Sequence, residues 1–378
     1  MELRRKLAER IRSERDKLGL TQSQLAEFAG FTSSQIISQI EKAERDVKAW
    51  ELFNLAKALR TDVAVLLSEN TLNPVAQVLW RKTPSKNRQL LESDFLQHCQ
   101  EYALVEKLCD IKFDSELPKL NANLSSIKPQ TAEKMGKRIR DELGLGNRPS
   151  SCLADMLENK FGVKIWYANL GDEGSAASSK GPFGLGVLIN SIEAPWRRNY
   201  SFAHELFHLL TWDSLTPRDF NQGESSSRIE KLAEIFASNL LLPDIEIETA
   251  LKNRVKENQI EYAHLVEIAR EFGVSTIALL WRLKNLNYIK SEMVQKLTDD
   301  PDFKQLDRNI RSGPWNTPPA IPERFVRLAF MAYKNGKLSR SRLSELLKTS
   351  LLDLSDFLLE YGLDDTKDYK TTVHTSRR

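Results

Sequence analysis

Residues 204–208 read His204-Glu205-Leu206-Phe207-His208, two histidines four apart with a glutamate after the first. On a helix, positions i and i+4 lie one above the other. Both imidazoles can then reach one tetrahedral metal ion, and Glu205 is placed on the same turn to act on water rather than to ligate. The pattern needs a helix with one face held rigid, and Phe202, Leu206 and Leu209 supply that apolar face. A surface helix with two solvated histidines fits poorly with a motif that follows a strand and lies in an apolar segment.

A hydrolytic zinc site keeps one position open for water and takes three protein ligands. Glu224, Glu230 and Glu234 are the candidates downstream. Arg228–Pro243 is helical in pattern, and Ala233 and Ala237 give it a small face on which another helix can pack closely. Glu230 lies one position from that face toward the helix start, where a ligand can cross the interface. Glu234 lies on the same face one turn later and is the alternative. His264 reads as an ordinary helix residue.

These segments resemble a known family. Arg197-Arg198-Asn199-Tyr200-Ser201-Phe202-Ala203-His204-Glu205-Leu206-Phe207-His208-Leu209-Leu210 is similar to the arginine-rich AHExxH segment of the ImmA/IrrE metallopeptidases. Glu230-Lys231-Leu232-Ala233-Glu234-Ile235-Phe236-Ala237, running on to Leu242-Pro243, is similar to their ExxA…FA…LL.P block. The resemblance spans residues 131–290 and includes the glycine-rich strand ending at Asn190. It implies a zincin-like peptidase domain with Zn2+ as cofactor, His204, His208 and Glu230 as metal ligands, and Glu205 as catalytic base. The family commonly has Asn or Asp where this chain has Glu234, which leaves the choice between Glu230 and Glu234 open. The implied activity is regulated cleavage of a transcriptional repressor that controls stress, mobile-element or defence genes.

Residues 1–68 carry apolar positions at helical spacing, from Leu7 and Ile11 to Leu59 and Leu66, with short breaks at Gly19 and Gly30. Thr21 is placed to cap one helix and Thr32-Ser33 the next. The run Thr21-Gln22-Ser23-Gln24-Leu25-Ala26, followed by Ala29-Gly30 and then Ser34-Gln35-Ile36-Ile37-Ser38-Gln39-Ile40-Glu41, resembles the Cro/repressor (XRE-type) helix-turn-helix family. This chain has one residue more between Gly30 and Glu41 than the usual pattern. In that family the second helix of the motif enters the major groove. Ser33, Ser34, Gln35 and Ser38 are then the candidates for base contact, Gln35 by a bidentate pair with adenine, and Gln22 for a phosphate. Residues 1–70 hold 12 basic and 11 acidic side chains, so the module is only +1. A homodimer is the usual remedy for such weak single-copy affinity.

The whole chain is nearly balanced too, with 55 Lys and Arg against 52 Asp and Glu, which excludes a bulk polycation. Cys99, Cys109 and Cys152 form no CxxC pair, so neither a disulfide scaffold nor a cysteine-ligated zinc site is expected, and a reducing cytoplasm fits. No apolar run reaches the roughly 18 residues of a membrane helix. The N-terminus lacks an apolar signal core.

The expected fold is mainly α with a small β-sheet (α+β). A five-helix DNA-binding module occupies 1–70 and a helical connector 71–130. The peptidase domain spans 131–290, with strands at Val163–Tyr167 and Gly184–Asn190. A proline-rich linker, 291–322, leads to a small helix-turn-helix-like unit at 323–364, with Leu328, Leu343, Leu346, Leu347 and Phe357 in its core. A polar tail, 365–378, is expected to be disordered. Gly171–Gly181 reads as a Gly/Ser-rich connection, and Gly184–Asn190 as an edge on which an extended substrate pairs. The expected partners are operator DNA and a protein substrate. The alternative is an antitoxin-like transcriptional regulator whose peptidase fold senses or binds without turnover.

Overall fold

The computed structural model describes residues 2–367 except 62, 68–75, 83, 85–86, 114, 121–123, 125, 173, 216–223, 258 and 312–314, and it leaves out the side chains at 2, 3, 17, 64, 65, 224–226 and 311. The expected tail therefore falls, from 368 onward, outside the described residues. Helices α1 (Glu2–Lys17), α2 (Gln22–Phe28), α3 (Ser34–Glu41), α4 (Ala49–Ala58) and α5 (Val63–Leu67) form the N-terminal module. They close over Ile11, Leu25, Ile37, Ile40, Leu55 and Leu59. Thr21 caps α2 in a reciprocal box: its hydroxyl accepts from the Gln24 backbone N–H, and the Gln24 side chain accepts from the Thr21 N–H. Ser33 caps α3 by accepting from the Gln35 N–H. Gly30 turns the chain between α2 and α3 at φ +72°, a conformation open to glycine.

The body follows in the order β1 (Val78–Trp80), α6 (Arg88–Leu108), α7 (Pro129–Leu143), α8 (Leu153–Asp155), β2 (Lys164–Ala168), β3 (Ala176–Gly181), β4 (Gly184–Asn190), α9 (Pro195–Thr211) and α10 (Glu224–Leu241). Then come α11 (Asp244–Lys252), α12 (Tyr262–Glu271), α13 (Thr276–Asn285), α14 (Ser291–Asp299), α15 (Pro301–Arg311), α16 (Glu323–Lys334), α17 (Arg340–Leu346) and α18 (Leu354–Glu360). The four-stranded sheet runs β1-β3-β4-β2. β3 is antiparallel to both β1 and β4, and β4 is parallel to β2.

Side chains alternate between two cores, one on each face of the sheet. Ile165, Ala176, Val187 and Ile189 face a large core with α7, α9, α10 and the helices after them. Trp166, Ala177 and Leu188 face a second core shared with α6 and α16–α18. A buried ion cluster ties this second layer together: Glu106 of α6 pairs with Lys164 of β2 and Arg324 of α16. The unit at 323–364 therefore packs on the sheet, with Leu328, Leu343, Leu346 and Leu347 buried and Phe357 partly so.

Three expectations change. Gly184–Asn190 is an interior strand, paired on both sides, and β1 and β2 hold the edges. The stretch 171–181, expected as a connection, contains β3. The segment 291–322, expected as a linker, carries α14 and α15; its prolines at 318, 319 and 322 lie beyond both helices. Among the described residues, no helix is long and apolar enough to cross a membrane.

Candidate metal centre and nucleic-acid interface

Helix α9 is positioned from its first turn. Pro195 sits at its start, where a missing N–H costs nothing. Arg198 donates to the carbonyls of Ser191, Glu193 and Asn316, and buried Asn190 donates to those of Gly171 and Gly174. These bonds fix the turn between β4 and the helix. From Ser201 to Thr211 every residue of α9 is buried. Helix α10 lies against it, with Ala233 and Ala237 buried and Phe236 ring-to-ring with Phe207 at 5.5 Å. Gly136 of α7 lets a third helix approach the other side of α10, since a Cβ there would stand 2.6 Å from the Phe236 carbonyl oxygen.

His204, His208 and Glu230 converge, their ligand atoms all within 4.8 Å of one another. His204 Nε2 lies 2.9 Å from Glu230 Oε2, His208 Nε2 lies 3.2 Å from Glu230 Oε1, and the two Nε2 atoms are 3.2 Å apart. Ligand atoms held tetrahedrally at zinc distances stand roughly 3.3 Å apart. Two ring nitrogens this close, both turned to a carboxylate, need a proton or a cation between them. The donor set fits a zinc ion in kind and in spacing. The site's other polar atoms fit as well: both oxygens of Glu205 and the Nδ1 atoms of His204 and His208 are buried without a hydrogen-bond partner.

The carboxylates differ sharply in environment. Burial pushes the Glu205 carboxyl up, against the pull of His208 and His204. Burial would also raise Glu230, but its bonds with the two histidines outweigh that and bring it to about 2. For Glu234, burial is outweighed by His204 and Arg81, again to about 2. His204 is itself raised: burial disfavours its cation, but Glu230 and Glu234 prevail. Glu234 lies on the far side of the His204 ring, its Oε1 3.4 Å from Nδ1. A carboxylate behind a ligating histidine fixes its tautomer and orientation. Glu224 begins α10, and its side chain is outside the described residues. His264 lies on α12 and is not among the converging groups.

Sequence reasoning missed Arg81, which follows β1 and donates to Glu234 and to Ser201. Contacts across 120 and 153 positions give it a role, and no local signal marks it. A cleft of about 560 Å3 opens beside the centre, with Arg81, Tyr200, Glu234, Trp196, Arg197 and Trp281 in its walls.

In the N-terminal module, α3 presents Gln35 to solvent, with Ser33, Ser34 and Ser38 half-buried. Gln22 is engaged inside the module, donating to Glu41 Oε2 at 2.8 Å, and Arg15 holds the same carboxylate. That bond uses one of the two N–H donors of its amide and leaves the second for a phosphate.

The family model for the IrrE N-terminal-like domain matches residues 158–284, and the helix-turn-helix model matches 11–66. The chain is 43% identical over 72 residues to control protein C.SmaI of Serratia marcescens, covering 19% of this chain and 84% of that protein. The chain belongs to the XRE-type helix-turn-helix family and carries an ImmA/IrrE-type peptidase domain. A solved Mycobacterium tuberculosis transcriptional regulator aligns over 49% of this XRE–ImmA/IrrE chain at 19% identity and a TM-score of 0.31, and the match spans 52%, about half, of that regulator's length. The chain joins a helix-turn-helix module of a DNA-binding family to a domain of a metallopeptidase family.

Proposed function

We propose that this chain is a zinc-dependent endopeptidase, held at DNA by its N-terminal module, that cuts a transcriptional repressor or related regulator. The observation that carries this reading is the convergence of His204, His208 and Glu230 beside the buried, unpartnered carboxylate of Glu205. When bound, zinc supplies Lewis acidity, acidifying water and polarising the scissile carbonyl. Glu205 takes the proton from the attacking water and passes it to the leaving amine. Glu234 orients His204 from behind. Gln35, Ser34 and Ser38 of α3, with its cap Ser33, face the operator, and Gln22 donates its second amide N–H to a phosphate.

The test compares newly exposed protein N-termini in cells making the wild type or Glu205→Gln. New termini within a DNA-binding regulator, present only with the wild type, are expected. Their persistence with Glu205→Gln, or their absence with both, would reject the endopeptidase. A second reading, a regulator that uses the centre without turnover, is favoured by one feature: His204, Glu205 and His208 are each 0% exposed. The absence of any new terminus, with zinc retained, is its expected signature.

A further inference from the structure

We propose that Arg81 is a positioning residue for the metal centre, clamping together the two helices that carry its ligands. This rests on the zinc reading above. The residue lies outside the region of resemblance, in a stretch that the sequence marks only as a connector. Its backbone is anchored on the sheet, since its N–H donates to the Ala176 carbonyl of β3 at 3.0 Å. From that anchor the guanidinium reaches both ligand helices. Nη1 donates to Ser201 Oγ at 3.0 Å, three residues before His204 on α9. Nη2 donates to Glu234 Oε1 at 2.8 Å, four residues after Glu230 on α10. Its Cζ lies 5.6 Å from the centroid of the Tyr200 ring, whose hydroxyl in turn donates to the Glu234 carbonyl.

The oxygen that Arg81 holds is the one that faces His204. Glu234 Oε1 stands 3.4 Å from Nδ1 of that ring, an ion-pair distance without a hydrogen bond, so holding the oxygen there lets it close on Nδ1 when Nε2 takes the metal. The planar fork of arginine spans two acceptors on two helices at once; a lysine ammonium can pair with Glu234 but lacks the rigid geometry to hold both. Arg81 directly follows β1, the first strand in sequence after the DNA-binding module.

The experiment measures zinc affinity of the full chain by competition with a chelator, and the visible spectrum of the cobalt-loaded protein, for wild type, Arg81→Ala and Arg81→Lys. Arg81→Ala is expected to weaken zinc binding by about 10–100-fold and to alter the cobalt spectrum, with Arg81→Lys between it and the wild type. A purely architectural arginine would lower the melting temperature of Arg81→Ala but leave zinc affinity and spectrum at wild-type values, and that result overturns the proposal. If Arg81→Ala does not fold, Ser201→Ala removes one arm of the clamp; a smaller loss of affinity is expected, and unchanged affinity overturns it. A wild type that takes up neither metal removes the zinc reading itself and this inference with it.

Discussion

Glu230 and Glu234 sit one helical turn apart on the same face of α10, and their distances give them different work. Glu230 touches both Nε2 atoms, whereas Glu234 touches only the Nδ1 side of His204. Glu234→Ala should weaken zinc binding by about 10–100-fold, and Glu230→Ala by more; chelator competition ranks them, and the reverse order would exchange their roles. His204, Glu205 and His208 were legible in the sequence because i, i+4 spacing is itself a geometric statement. Glu230 was favoured as the third ligand with Glu234 as the alternative, since two glutamates on one face differ only in where the neighbouring helix lies. Arg81 was not legible, because its partners are set by strand pairing. The bond from Gln22 to Glu41, which holds the candidate phosphate contact against α3, was equally hidden, because its acceptor comes from another helix.

At the scale of elements, the long amphipathic helices could be read and the sheet only in part. β3 reads Ala-Ala-Ser-Ser-Lys-Gly and lacks the β-branched residues that announce a strand. Its first four residues are 0% exposed between two cores, where small side chains let α9 lie close to the sheet. The interior place of β4 follows from β3 and could not be read without it. The second layer carries a pH-dependent contact that was equally hidden. His98 of α6 stacks on Trp166 of β2, ring centroids 4.0 Å apart, and accepts from Lys348 Nζ at 2.5 Å. Burial, with Lys348 and Arg60 nearby, brings its pKa from 6.5 down to about 3. The folded ring stays neutral while the unfolded one protonates below about pH 6.5. Stability from this site is therefore complete above 6.5 and is lost as pH falls toward 3. His98→Gln should remove up to about 2 kcal/mol of the fall in stability between pH 7 and 5. Urea midpoints at the two pH values measure it, and an equal fall in wild type and variant would contradict it.

For the whole molecule, the N-terminal module must bind DNA with little charge of its own. It exposes Phe28, Trp50 and Phe53, each more than half accessible, on one small domain. A second copy seated against any of these side chains would double the phosphate contacts. Phe53→Glu should shift the chain toward monomer in sedimentation and weaken its binding to operator DNA; unchanged mass and affinity would place the contact elsewhere. The peptidase body needs no such partner to form its centre, because the sheet, α9, α10 and the strand after the DNA-binding module assemble it within one chain.

The metal content of the purified full-length protein, measured by elemental mass spectrometry beside His204→Ala, tests that centre most directly. About one zinc per chain in the wild type, lost in the variant, is the expected result. A wild type that stays metal-free after zinc is restored, or a variant that keeps its zinc, would contradict it.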